Sequence, residues 1–133
     1  MIFVDTGAWF ASIVPTDPDN ARAARWLQNN TENLFTTDYV VDETLTLLRA
    51  RGENHRAIAL GKGFFGDRLA IVHRLSDSDI ERAWKIFEQF RDKEWSFTDC
   101  TSKAVMQTSG ITTAFAFDHH FKQFGEIIVV PTL

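Results

Sequence analysis

One cysteine in 133 residues leaves Cys100 without an internal partner. It can form neither an intrachain disulfide nor a thiolate cage, which fits a reducing, cytoplasmic setting. Long apolar runs are missing too, and none approaches the roughly 20 residues that cross a bilayer. The opening Met1-Ile2-Phe3-Val4-Asp5 carries no basic stretch and no cleavage site, so no secretory signal is expected. There is no basic excess: 14 Lys and Arg face 18 Asp and Glu, for a net charge of −4. That excludes a general nucleic-acid binder working through its overall field. Neither a Gly-x-x-x-x-Gly-Lys phosphate loop nor a Gly-x-Ser-x-Gly elbow is present. A phosphatase of the haloacid-dehalogenase type needs an acid two places after Asp5, where Gly7 stands. A response-regulator receiver needs an acid ending its third strand, where Leu69-Ala70-Ile71-Val72-His73 has none. No repeat, low-complexity stretch or linker breaks the chain.

What is present suits one compact domain, residues 1–133, with a core of its own. Hydrophobic residues make up 44%, and the 12 Phe and 4 Trp predict an aromatic core. Ile2–Val4 reads as a short buried strand. A helix follows from Thr6 until Pro15 stops it. Asp17-Pro18 opens a second helix, with Pro18 tolerated in its first turn, running to about Asn29. Asn33–Thr36 reads as a strand. Asp38 caps a helix to about Arg51, ended by Gly52, and another helix runs from Asn54 to Phe65. Leu69–His73 is the next strand. From Ser76 to Arg91, Ile80, Ala83, Trp84, Phe87 and Phe90 form a 3.6-period apolar stripe, with Glu81 and Lys85 paired on the other face. A helix from Thr98 to Ser109, a strand Thr113–Phe117, a helical turn His119–Phe124 and a strand Ile127–Val130 complete the chain. Such alternation predicts an α/β fold with a mainly parallel sheet covered on both faces.

Four acids fall where such a fold gathers ligands, outside the carboxyl ends of its strands. Asp5 directly follows the first strand; it is either a site ligand or a helix cap. Glu43 shares a helix face with Val40, Thr44, Leu47 and Leu48, so it points inward, as a site acid or paired with a buried Arg or Lys. Asp42 projects toward solvent. Asp99 stands near a helix start, where an acid also complements the helix dipole. Asp118 follows a strand and is otherwise a polar turn residue. Four clustered carboxylates need a cation to stay ionised, so they read together as a divalent-metal site. These four also account for the whole net charge. His119 is a weaker candidate ligand. Lys62, Arg49 and Lys103 are candidate rim cations. Trp9, Phe10, Phe64 and Phe65 are more aromatic surface than one helix layer needs to bury.

The ordered set Ile2-Phe3-Val4-Asp5-Thr6, Thr36-Thr37-Asp38-Tyr39-Val40-Val41-Asp42-Glu43, Ser96-Phe97-Thr98-Asp99-Cys100 and Ala114-Phe115-Ala116-Phe117-Asp118-His119-His120-Phe121 resembles the PIN-domain ribonucleases, above all the VapC-type toxins. The resemblance spans the chain. It implies a three-layer α/β/α sandwich with five strands, and Mg²⁺- or Mn²⁺-dependent endonucleolytic hydrolysis of RNA. Asp5, Glu43, Asp99 and Asp118 occupy the family's acidic positions, implying catalytic and metal-ligand roles. A small protein antitoxin and a homodimer are also implied, with no membrane association; the antitoxin would lie in a groove by the acids that Trp9, Phe10, Phe64 and Phe65 are expected to border. Two alternatives keep the same fold: an RNA-processing nuclease without an antitoxin, or a catalytically idle binding module. One departure stands out. Many relatives carry Ser or Thr two places before the last acid, where this chain has Ala116, so Thr6 or Thr98 would have to supply any hydroxyl there.

Overall fold

The computed structural model describes residues 1–132. Five strands, β1 (Ile2–Val4), β2 (Leu34–Thr37), β3 (Ile71–His73), β4 (Thr113–Phe115) and β5 (Ile128–Val130), form one sheet in the order β3-β2-β1-β4-β5. Every pairing is parallel. The helices are α1 (Thr6–Ile13), α2 (Asn20–Asn29), α3 (Asp38–Ala50), α4 (Asn54–Phe65), α5 (Asp77–Gln89) and α6 (Phe97–Ser109), with a 3-10 turn at His119–Phe124. Progress from β1 to β3 runs one way across the sheet, and the return to β4 runs the other. Right-handed crossovers therefore put α1 to α4 on one face and α5 and α6 on the opposite one. This is the expected three-layer α/β/α sandwich.

The central strands are largely buried and the edge strands β3 and β5 are partly exposed. Ile2, Phe3 and Val4 are all buried. Phe3 meets Phe35 and Phe121, with ring centroids 6.3 and 6.1 Å away, while Trp9 packs edge-on against Phe64 at 4.9 Å. Trp26 of α2 stacks on Phe115 of β4 at 4.3 Å. The aromatic content is thus spent on both sides of the sheet.

Several local expectations are corrected. Asp17 and Pro18 lie in a turn before α2, which begins at Asn20 after Asp19. The α3 cap is Thr37, whose hydroxyl accepts from the Val40 N–H at 3.1 Å. Asp38 instead accepts from the Leu75 N–H at 3.1 Å, tying α3 to the segment after β3. Strand β3 starts two residues later than expected, and β4 ends two residues earlier, at Phe115. On α5 the buried positions are Asp79, Ala83 and Ile86, whereas Trp84 and Phe87 are exposed. Asp79 is buried because it closes a capping box with Ser76 and meets His73 Nε2 at 2.9 Å. Gly110 ends α6 as expected, at φ 67°, a left-handed conformation that only glycine adopts freely.

Lys103 is no rim cation. It is buried on α6, its ammonium donates to the Phe124 carbonyl, and the rings of Phe90, Trp95 and Phe124 lie 5.8, 5.9 and 5.5 Å from it. Burial lowers its pKa. It ties α6 to the end of the 3-10 turn. Lys103→Ala is expected to cost about 2 kcal/mol, the worth of a hydrogen bond to a charged donor. A chemical denaturation curve would register it as a lower midpoint at unchanged slope; an unmoved midpoint would contradict this role.

Candidate functional site

The order of the strands fixes where a site can form. Winding reverses between β1 and β4, which makes the gap beyond their carboxyl ends a topological switch point, the usual ligand crevice of an open α/β sheet. Asp5 follows β1 directly, and its N–H bonds the Phe115 carbonyl of β4 at 3.1 Å. Asp118 stands three residues beyond β4 and caps the 3-10 turn, accepting from the His120 N–H at 2.9 Å. These two acids therefore flank the reversal. α3 and α6 deliver the other two. Asp5, Glu43, Asp99 and Asp118 all line one cleft of about 340 Å³, together with Thr6, Gly7, Leu47, Glu94, Ser96 and His120.

Each acid is held differently. Asp5 occupies the cap position of α1, but its side chain makes no capping bond. It is 4% exposed, and Oδ1 is the one buried side-chain polar atom among the described residues with no hydrogen-bond partner. Burial first, then repulsion from Asp99, with Glu43 and Asp118 adding, raise its pKa to about 8 against the pull of the Thr6 backbone N–H. Glu43 is half-buried on α3 between the buried Val40 and Thr44, and Asp42 is exposed, as helical spacing predicts. Among the described residues no cation pairs with Glu43, so the paired alternative finds no partner.

Asp99 does two jobs at once. It closes a capping box with Ser96: its Oδ2 accepts from the Ser96 N–H at 3.0 Å, and its own N–H donates to the Ser96 hydroxyl at 3.0 Å. The Ser-x-x-Asp spacing that makes this box is visible in the sequence. The same Oδ2 lies 3.0 Å from His120 Nδ1.

His120 is the residue that sequence reasoning missed. Of the adjacent histidines, His119 was the candidate ligand, yet its side chain is 73% exposed and its Nδ1 is 3.6 Å from Asp118. His120 is turned inward, 15% exposed, and touches both Asp99 and Asp118. Nothing in the pair His119-His120 distinguishes them; the sharp turn capped by Asp118 does. Of the two hydroxyls offered in place of the missing one at Ala116, Thr6 lines the cleft and Thr98 does not. Cys100 is buried behind Asp99, and burial pushes its thiol up to about 11, so it stays a packing residue.

The pattern of the PIN domain family matches residues 2–127. The chain is 34% identical over 131 residues to the 23S rRNA-specific endonuclease VapC20 of Mycobacterium tuberculosis, covering 98% of this chain and 99% of the relative. This chain belongs to the PIN domain family and is of the VapC type. The crystal structure of M. tuberculosis VapC20, a sarcin–ricin loop cleaving toxin, matches with a TM-score of 0.92 at 33% identity, over 98% of this chain and all 100% of that one. FitAcB from Neisseria gonorrhoeae matches with a TM-score of 0.70 at 15% identity, over 98% of this chain and 97% of that one, which speaks for a shared fold alone. No helix among the described residues is long and apolar enough to cross a membrane.

Proposed function

We propose that this chain is a divalent-metal-dependent endoribonuclease, the toxin of a toxin–antitoxin pair, with large-subunit ribosomal RNA as its substrate. The observation that carries the reading is Asp5 Oδ1, a buried carboxylate oxygen with no donor, in a cleft that three more acids also line. A polar atom so placed is costly unless something cationic meets it. The donor set is all oxygen from acids, the chemistry that Mg²⁺ and Mn²⁺ favour, so the residues fit such an ion. The likeness to VapC20 over 98% of the chain supports the substrate.

Asp5, Glu43, Asp99 and Asp118 would hold the ion. Bound there, a divalent cation supplies phosphate charge neutralisation and a lowered water pKa. The chain's own groups do the rest. The walls around Asp5 exclude bulk water and so strengthen every charge interaction at the scissile phosphodiester. The Ser96 and His120 bonds keep Asp99 and Asp118 oriented before substrate arrives.

With 23S rRNA or a sarcin–ricin hairpin as substrate, Mn²⁺ is expected to support internal cleavage and EDTA to abolish it. Cleavage that survives EDTA would remove the metal requirement; no cleavage under any metal would favour the idle binding module. The RNA-processing alternative is separated by expressing the protein with and without its neighbouring reading frame, since only a toxin needs a partner to be tolerated.

A homodimer is the proposed assembly. Tyr39, Trp84 and Phe87 are exposed and Phe97 is half-buried. Their rings form a chain, with centroids 6.4 Å apart for Tyr39–Phe97, 6.0 Å for Phe97–Phe87 and 5.9 Å for Phe87–Trp84. Glu81, Lys85 and Glu88 on the same helix bring both signs of charge, which suits a second copy more than a polyanionic RNA. Light scattering should report a dimer for the parent and a monomer for Trp84→Glu/Phe87→Glu. A monomeric parent at tens of micromolar would reject the assembly.

For the antitoxin, the aromatic groove is revised. Trp9, Phe10 and Phe64 are buried in the core, and only Phe65, 74% exposed, is offered to a partner. It borders a groove of about 680 Å³ between α3 and α4, lined also by Ile58, Arg49 and Lys62. α3 is shared by this groove and the acidic cleft. That supports an antitoxin segment with apolar anchors in the groove and a basic side chain over the acids.

A further inference from the structure

We infer that His120 is a positioning residue, whose ring Nδ1 holds one oxygen of Asp99 and whose backbone N–H holds one of Asp118, leaving the other oxygen of each free for the cation. The inference rests on the metal-dependent reading of the cleft. It deepens that reading by adding a residue outside the four acids.

The geometry is specific at the level of single atoms. His120 Nδ1 lies 3.0 Å from Asp99 Oδ2 and 3.3 Å from Asp118 Oδ1. Those same two oxygens also take the backbone donors: Ser96 N–H on Asp99 Oδ2 at 3.0 Å, and His120 N–H on Asp118 Oδ1 at 2.9 Å. All the hydrogen bonding thus falls on one oxygen of each carboxylate. Among the described residues, Asp99 Oδ1 and Asp118 Oδ2 have no hydrogen-bond partner. Nδ1 donates the ring proton to the Asp99 carboxylate; its approach to Asp118 Oδ1 is a charge contact beside that bond.

Asp99 and Asp118 come from different elements, the start of α6 and the turn after β4. Two like charges so placed drift apart unless something holds both. His120 reaches both, its ring bonding Asp99 and its backbone N–H bonding Asp118, the service that hydrogen-bonded partners of ligating carboxylates commonly supply. A direct ligand role through Nδ1 is blocked because the carboxylates already occupy that atom. Asp118, His119 and His120 do have ligand atoms within 4.8 Å of one another. His119 is turned to solvent, however, so the inward pair of contacts belongs to His120 alone.

Calorimetric titration of the metal-free protein with Mn²⁺ tests this without any activity measurement. His120→Ala removes the donor. His120→Asn places an amide N–H close to where Nδ1 stands, and His120→Gln places it one methylene too far. We expect His120→Ala and His120→Gln to bind Mn²⁺ about 10- to 100-fold more weakly. His120→Asn and the control His119→Ala should stay close to the parent. Circular dichroism establishes that each variant is folded; if His120→Ala is not, the contrast of Asn with Gln carries the test. Parent-like affinity in His120→Ala, or an Asn variant as weak as Ala, would overturn the inference. A parent that takes up no Mn²⁺ would overturn the metal reading itself, and this inference with it.

Discussion

Asp5→Asn is expected to reduce RNA cleavage by about 100- to 1,000-fold, since several kcal/mol of charge stabilisation depend on the ion it would hold and each 1.36 kcal/mol is a factor of ten. The same substitution should leave the metal-free protein as stable as the parent or more so. Asp5 is separable in this way because its side chain has no structural duty: it makes no capping bond to α1, and Oδ1 is buried without a partner. Asparagine keeps the shape and removes a charge that burial and three neighbouring acids oppose. Asp99 could not be used so cleanly. Its carboxylate closes the capping box of α6, and loss of a cap costs about 1 kcal/mol by itself. Single-turnover cleavage with Mn²⁺ and thermal melts in EDTA are the two measurements. Wild-type cleavage by the variant would end the assignment of Asp5. A melt several degrees lower would mark Asp5 as a structural carboxylate.

Metal-free protein is expected to lose stability as pH rises from 5 to 8.5, on the order of a few kcal/mol for a carboxyl shifted by several pKa units. In the folded chain burial, and then Asp99, disfavour the charge and raise the Asp5 carboxyl from the ordinary aspartate value of 3.8 to about 8. Between those values the folded state keeps a proton that the unfolded state has released. Unfolding therefore releases a proton, and higher pH favours unfolding. Below the lower value both states are protonated, and above the upper value both are ionised, so the slope vanishes at each end. Asp79 shifts the opposite way: burial works against it, but bonds from Ser76 and His73 prevail and lower its pKa. Its contribution is present above 3.8 and is lost only at lower pH, outside this window. Melts at pH 5 and 8.5 in EDTA should show the drop in the parent and not in Asp5→Asn. Saturating Mg²⁺ should remove it, since the ion meets the ionised cluster. A parent equally stable at both values would show that Asp5 is not buried in the protonated form.

Which elements form, and in what order, was legible in the chain. Apolar runs such as Ile2–Val4 and the 3.6-residue spacing around Glu43 are local signals, written over a few consecutive residues. They put Asp5 and Asp118 after strands and turned Glu43 inward without any knowledge of neighbours. Capping at Asp38 was misread: its carboxylate accepts from Leu75 N–H, far along the chain, and Thr37 caps the helix instead.

Other features depended on contacts between distant segments. Trp84 and Phe87 kept the helical period of α5 but face outward, because a stripe wider than the buried strip of Asp79, Ala83 and Ile86 has no neighbour to cover it. Lys103 looked like any surface lysine until three aromatic rings and the Phe124 carbonyl closed around it. His120 and His119 are chemically identical, and only the turn set by Asp118 chose between them.

The chain by itself determined the strand–helix alternation, the aromatic core and the candidate acids, because hydrophobic period and turn chemistry act between near neighbours. The tertiary structure alone decided that the sheet reverses between β1 and β4, which brings residues 5, 43, 99 and 118 to one cleft. It also decided that His120 spans two of them. Pairing order joins residues more than a hundred positions apart, such as Val4 with Phe115, and the strand residues that make those bonds are all apolar and interchangeable in pattern. Backbone hydrogen bonds carry no label for their partner; packing of the whole domain selects it.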